Sequence, residues 1–148
     1  MKKFIALLAV FAVMAGLSCK KQKIITEPEI VLQRWAKAIE QNDYHNYSRC
    51  EANPKSEVVF REMFRDDYYA DLKVVELEEP DKSDIQKDFS GNEYIHRTLV
   101  FDGTVVKRGK GTSFQNVRGD IMFIKYLDGK KGKDGWLIWN RTIMRVNK

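Results

Sequence analysis

The closing stretch WLIWNRTIMRV, residues 136–146, sets Arg141 and Arg145 at alternate positions with Trp139 and Ile143. Alternation along a strand puts these four side chains on one face. If that face is concave, it makes a cationic, aromatic-lined pocket for an anionic ligand. If it is convex, the arginines are solvated charges or partners of the acidic loop over residues 80–92. Arg97, Lys107, Arg108, Arg118 and Lys125 add further cations to the strand segments, and Trp136 and Trp139 also suit plain sheet packing, because aromatics favour strands. Other chemistries find no frame. His45 and His96 lie 51 positions apart with no helical pair, which is no metal-ligand spacing. Gly109-Lys110-Gly111-Thr112 lacks the rest of a phosphate-cradling loop and reads as a turn. There is no Gly-x-Ser-x-Gly elbow, and no cofactor is expected.

Two cysteines raise a different chemistry. Lys2 and Lys3 precede an apolar run, Phe4 to Leu17, of the length of a secretory core and too short to span a bilayer comfortably. Leu17-Ser18-Cys19 resembles the end of a bacterial lipoprotein signal, although Gly16 stands where a larger aliphatic is usual. An ordinary cut near the small residues would leave Cys19 a thiol; the resemblance implies cleavage after Ser18 and acylation of Cys19, and two or more acyl chains anchor a protein stably. Residues 1–18 are then a signal peptide, 19–25 an acylated cysteine and tether, and 26–148 one domain. Lys20 is not the aspartate that retains many lipoproteins at the inner membrane, so the cell envelope, and its outer membrane, is the expected location.

Losing Lys2 and Lys3 lowers the formal charge from +5 to +3, too little to require nucleic acid as a partner. With Cys19 acylated, Cys50 is left alone, which rules out an internal disulfide and suits a packed thiol, with a disulfide to a partner as the alternative.

The stretch ITEPEI, residues 25–30, combines a capping box (Thr26, Glu29), a hydrophobic staple (Ile25, Ile30) and Pro28 in the first turn. The spacing of Leu32, Trp35, Ala36 and Ile39 predicts a helix from there to about Gln41-Asn42. A short helix capped by Asn42 or Asp43 follows. A third is expected from Asn53-Pro54 to about Tyr68, with Val59, Phe60, Met63 and Phe64 as its apolar stripe. The pattern then turns to strands at 72–79, 94–101, 104–108, 114–127 and 136–146. Asp102-Gly103 reads as a hairpin turn or as a bulge in one long strand, and Gly119 as a further bulge. Helices first and antiparallel strands after give an α+β fold, with helices packed on a curved sheet.

This order resembles the superfamily of nuclear transport factor two, ketosteroid isomerase and scytalone dehydratase. LQRWAKAIEQNDYHNY resembles its opening helix, VVFREMF its third, and DGKKGKDGWLIWNRTI its last turn and strand. The resemblance implies a cone around a pocket; a cystatin-like fold is the structural alternative. Catalytic members use aspartates and histidines inside the cone, which here points to Asp43 and His96, with His45 and Asp102 behind them. Such a group beside a tyrosine can move a proton on a carbonyl substrate. Each also has a plainer role, Asp43 as a helix cap and Asp102 in a turn, while His96 faces a cavity only if its side of the strand is concave. Tyr47, Tyr94, Trp139 and Arg141 are the candidate ligand contacts. The favoured expectation is a membrane-anchored, non-catalytic module for a small hydrophobic or anionic ligand or a partner protein. A small isomerase or dehydratase-like enzyme and a structural homodimer are the alternatives.

Overall fold

Pro28 has no amide proton to leave unbonded, so it suits the first turn of helix α1, Pro28–Glu40. The structure, a computed structural model, describes residues 27–79, 84–110 and 114–146. The export segment, Cys19, the tether and Thr26 lie outside the described residues. The N-cap of α1 is Glu27, and its side chain makes no capping bond. At the other end Asn42 takes φ 55°, the left-handed residue that closes a Schellman motif. Asn42 N donates to Ile39 O at 3.1 Å and Asp43 N to Ala38 O at 2.8 Å. Arg108 donates to Glu40 O and adds a second bond at Ile39 O, so a guanidinium sits at the negative end of the helix.

Helix α2, Tyr44–Ser48, is capped by Asp43, and α3, Glu57–Met63, by Ser56. Helix α3 starts later than Asn53-Pro54, because residues 50–52 run along a sheet edge: Ile138 N donates to Cys50 O at 2.7 Å and Ala52 N to Ile138 O at 2.8 Å. It also ends sooner. Phe60 and Phe64 are buried while Val59 and Met63 are exposed, and the chain is already a strand by Asp67.

The strands are β1, Asp67–Leu77; β2, Gln86–Lys87; β3, Glu93–Lys107; β4, Phe114–Tyr126; and β5, Trp136–Arg145. They form one antiparallel sheet in the order β1-β3-β4-β5, with β2 pairing the start of β3. The fold is therefore α+β. Helix α1 touches both outer strands: Gln33 Nε2 donates to Leu72 O in β1 at 3.0 Å, and the Trp35 ring lies under Arg141 of β5 at 5.0 Å. One helix can meet both edges only if the sheet curls around it, and the core fills that inner face. Trp35, Tyr47, Phe60, Phe101, Phe123, Ile121 and Ile138 are all fully buried there.

Two expectations about the strands change. Asp102-Gly103 is neither a hairpin nor a bulge of its own strand, since β3 runs straight through it against β4. The irregularity is in β1 between Ala70 and Lys73, where Asp71 has φ 54°. It drives Leu72 onto β3, where a Cβ at position 103 would stand 2.4 Å from Leu72 Cδ2. Gly119 is likewise no bulge; it is the socket for the ring of Phe101 directly opposite.

Candidate functional site

The alternation expected for β5 breaks at one residue. Phe123 pairs with Ile138 and Met122 with Asn140, so Trp139 is the extra residue of a bulge. Arg141 and Ile143 consequently face inward, but Trp139 turns out and stacks on Tyr94, with centroids 5.9 Å apart. The four candidate ligand contacts thus separate into two pairs. Tyr94 and Trp139 sit together on the outer face, where the Tyr94 hydroxyl donates to Gln86 Oε1 at 2.9 Å. Tyr47 and Arg141 sit together inside.

Inside, Arg141 is tied to one carboxylate and lies over the Trp35 ring. Its Nη1 lies 2.6 Å from Glu51 Oε1, with side chains 18% and 5% exposed, and Trp35 Nε1 donates to the same oxygen at 2.9 Å. The partner of Arg141 is therefore Glu51, in the segment along the β5 edge, and not the acidic loop. Tyr47 packs its ring on Phe60 at 4.5 Å and has no hydrogen-bond partner for its hydroxyl. Burial pushes this phenol above its ordinary pKa, and the nearby Glu51 carboxylate adds to the effect. Neither residue lines the cleft described below. This group locks α1 to β5; it is the interior of the fold.

The acid–base candidates do not converge. Asp43 caps α2, accepting from Asn46 N at 3.1 Å and Asn46 Nδ2 at 2.6 Å, and those bonds hold its carboxyl below the usual range. His96 lies on the face of β3 opposite Leu99 and Phe101, which are fully buried in the core, and therefore on the outer face. Asp102 is in a two-bond pair with Arg118 at 2.8 and 3.0 Å, which lowers its pKa. His45 is exposed on α2. Among the described residues, no cluster of His, Cys, Asp or Glu is close enough to hold a metal ion.

What the fold does assemble is a cleft at the open end of the inner face. A cavity of about 630 Å³ is lined by Arg65, Asp66, Asp67, Val105, Lys107, Arg108, Lys110, Gln115 and Arg145. It shares Asp67, Val105 and Arg145 with an adjoining hollow of about 230 Å³ that is floored by Met63, Phe64, Tyr69, Val117 and Ile143. No family model matches this chain, and no curated protein matches it. The cleft is therefore read from its own chemistry. Five cations face two carboxylates, in a domain (residues 26–148) whose formal charges cancel, so positive charge is locally concentrated here.

The cations differ in their availability. Arg108 is spent on the carbonyls of α1 and of Phe64, and Arg65 pairs with Glu62 and Asp66. Among the described residues, Lys107 and Arg145 have no ion pair. Asp67 Oδ1 is buried and without a hydrogen-bond partner. The site is an apolar hollow opening onto a basic rim, suited to the charged end of a small amphiphile.

Sequence reasoning reached Arg145 and named Lys107 and Arg108 as strand cations. It missed Arg65 and Asp67, which sat in the expected third helix, and only strand order shows that they adjoin the others.

Proposed function

We propose that this chain is a lipid-anchored envelope lipoprotein, acylated at Cys19, whose domain is a non-catalytic binding module for a small anionic ligand. The apolar run ending in Leu17-Ser18-Cys19 supports the anchor, and Lys20 favours the outer membrane. The order of helices and strands supports kinship with the nuclear transport factor two and ketosteroid isomerase superfamily. The single observation that carries the binding role is the concave cleft: it holds a local excess of positive charge beside an apolar hollow, and none of Asp43, His45, His96 or Asp102 lines it.

Two measurements test this. Cys19→Ala should move the protein out of the membrane fraction; retention there would remove the anchor. Native mass spectrometry of the chain purified gently from bacterial cells should show an adduct of a few hundred daltons, the size such cavities hold. The adduct should vanish in the Lys107→Glu/Arg145→Glu variant. A clean apo mass would shift the role to a protein partner, and the subunit count in the same spectrum tests the homodimer that the exposed Met122, Met144 and Trp139 would favour.

A further inference from the structure

At the end of the sheet opposite the cleft, Phe89 stands clear of the protein, with an exposure of 110%. It is the outermost large apolar side chain of the turn between β2 and β3, and that turn is built to keep it out. Asp88 Oδ1 accepts from Ser90 N at 2.8 Å and from Asn92 N at 3.0 Å, and Asn92 Nδ2 donates to both carboxylate oxygens. Gly91 N closes the turn on Asp88 O at 2.9 Å. These bonds hold the Asp88 carboxyl down at about 2, so the cage stays intact at any physiological pH. A slack loop would let the ring fold back onto the sheet; this one presents it.

Ile85, next to β2, and Leu127 are both about half exposed at the same end of the sheet, and Leu127 N bonds to Glu93 O at the foot of β3. The surrounding charges are of both signs and partly pair with one another, as in Lys87–Glu93 and Lys131–Asp88, each at 3.5 Å. Charge therefore does not select the partner of this surface. The course of the chain does. Glu27 accepts from Arg97 Nη1 at 3.2 Å, so the first described residue is fastened to β3 four residues from its start, about 13 Å along a strand. Only seven residues lie between it and Cys19, eight steps and a reach of at most about 29 Å. That reach covers the turn end with slack, whereas bringing the cleft end down would use all of it along the length of the domain.

We propose that the domain stands on this end, with Phe89 seated at the headgroup–acyl boundary of the bilayer that holds the anchor and with Ile85 and Leu127 at its rim, an inference that rests on Cys19 being acylated. One ring is a weak contact by itself. Once the acyl chains have made the encounter intramolecular, a weak contact is enough to set orientation.

The test uses the full acylated chain on phosphatidylcholine vesicles, with a spin label at Ser90→Cys, beside an intact Phe89, or at Val58→Cys on α3. Cys50 is buried and Cys19 acylated, so the label goes to the new thiol. The label at position 90 should be more accessible to oxygen than to an aqueous nickel chelate, and Phe89→Ser should reverse that order. The label at position 58 should read aqueous throughout. An aqueous position 90 on protein that still floats with the vesicles overturns the docking and leaves the anchor standing. A label shielded from both reagents means that protein, a second copy or another chain, covers the tip, and it overturns the bilayer as occupant. A chain that does not float with vesicles overturns anchor and docking together.

Discussion

Replacing Gly119 by alanine should destabilise the protein through one contact. Position 119 has no left-handed φ, so alanine meets no backbone penalty there. Its Cβ, however, would stand 2.1, 2.3 and 2.9 Å from Cε1, Cζ and Cδ1 of Phe101. Carbon atoms rest at about 3.5–4.0 Å, so the ring must retreat by more than 1 Å. Phe101 is fully buried against the inner core and has nowhere to go. Overpacking of this kind costs about 1–3 kcal/mol, and the entropy gained by losing a strand glycine returns roughly 0.5–1 kcal/mol. The net loss is then about 1–2 kcal/mol, or roughly 3–5 °C in Tm for each kcal/mol, between the figures for smaller and larger domains. Urea titration followed by tryptophan fluorescence reads it. The decisive comparison is Gly119→Ala in a Phe101→Leu background, where the ring is gone and the added methyl should cost nothing or stabilise. Additivity of the two substitutions within about 0.5 kcal/mol would refute the socket.

Other outcomes follow from the same contacts. Glu51→Gln keeps an acceptor for Trp35 but leaves the Arg141 charge uncompensated, and should cost on the order of 3 kcal/mol in urea unfolding; adding Arg141→Met should recover much of it. A single-variant loss below 0.5 kcal/mol would mean the pair is solvated. Lys107→Glu with Arg145→Glu should leave the urea midpoint nearly unchanged, because exposed substitutions shift stability by about 0.5 kcal/mol or less, while abolishing retention of the anionic adduct. Burial pushes the Cys50 thiol up to about 11 and raises the phenols of Tyr47 and Tyr69. The folded state therefore binds more protons than the unfolded chain above pH 9, and stability should fall as pH rises from about 9 to 11. Cys50→Ala should flatten that slope, and a slope unchanged by it would exclude the thiol as a source.

The helices were legible where the chain is local. Pro28, the Trp35 periodicity, the break at Asn42-Asp43 and the alternation of Ile95, Leu99 and Phe101 all depend on near neighbours, and each is found in the fold. Contacts made across the sheet were not. The Glu51–Arg141 pair spans 90 positions, and Gly103 and Gly119 look like breakers until Leu72 and Phe101 are seen filling the space they leave. The bulge at Trp139 reversed the face assigned to that residue, because alternation assumes one residue per pleat. The cleft was hidden for a related reason. Its charges come from the start of β1 and the ends of β3 and β5, and no spacing rule joins Arg65, Lys107 and Arg145 before the strand order is known.

The unbroken course of β3 through Gly103 sets a height. Its 15 residues lead from the turn that carries Phe89 to the rim of the cleft, at most about 48 Å along the strand and less in a straight line where the sheet curls. A domain standing on Phe89 lifts its cargo clear of the lipids that hold it, and a lipid leaving that leaflet would cross open water to reach the rim. The cleft so placed is loaded from the aqueous side or from a surface facing the bilayer, and exchange with the home leaflet requires the whole domain to tip over on its tether.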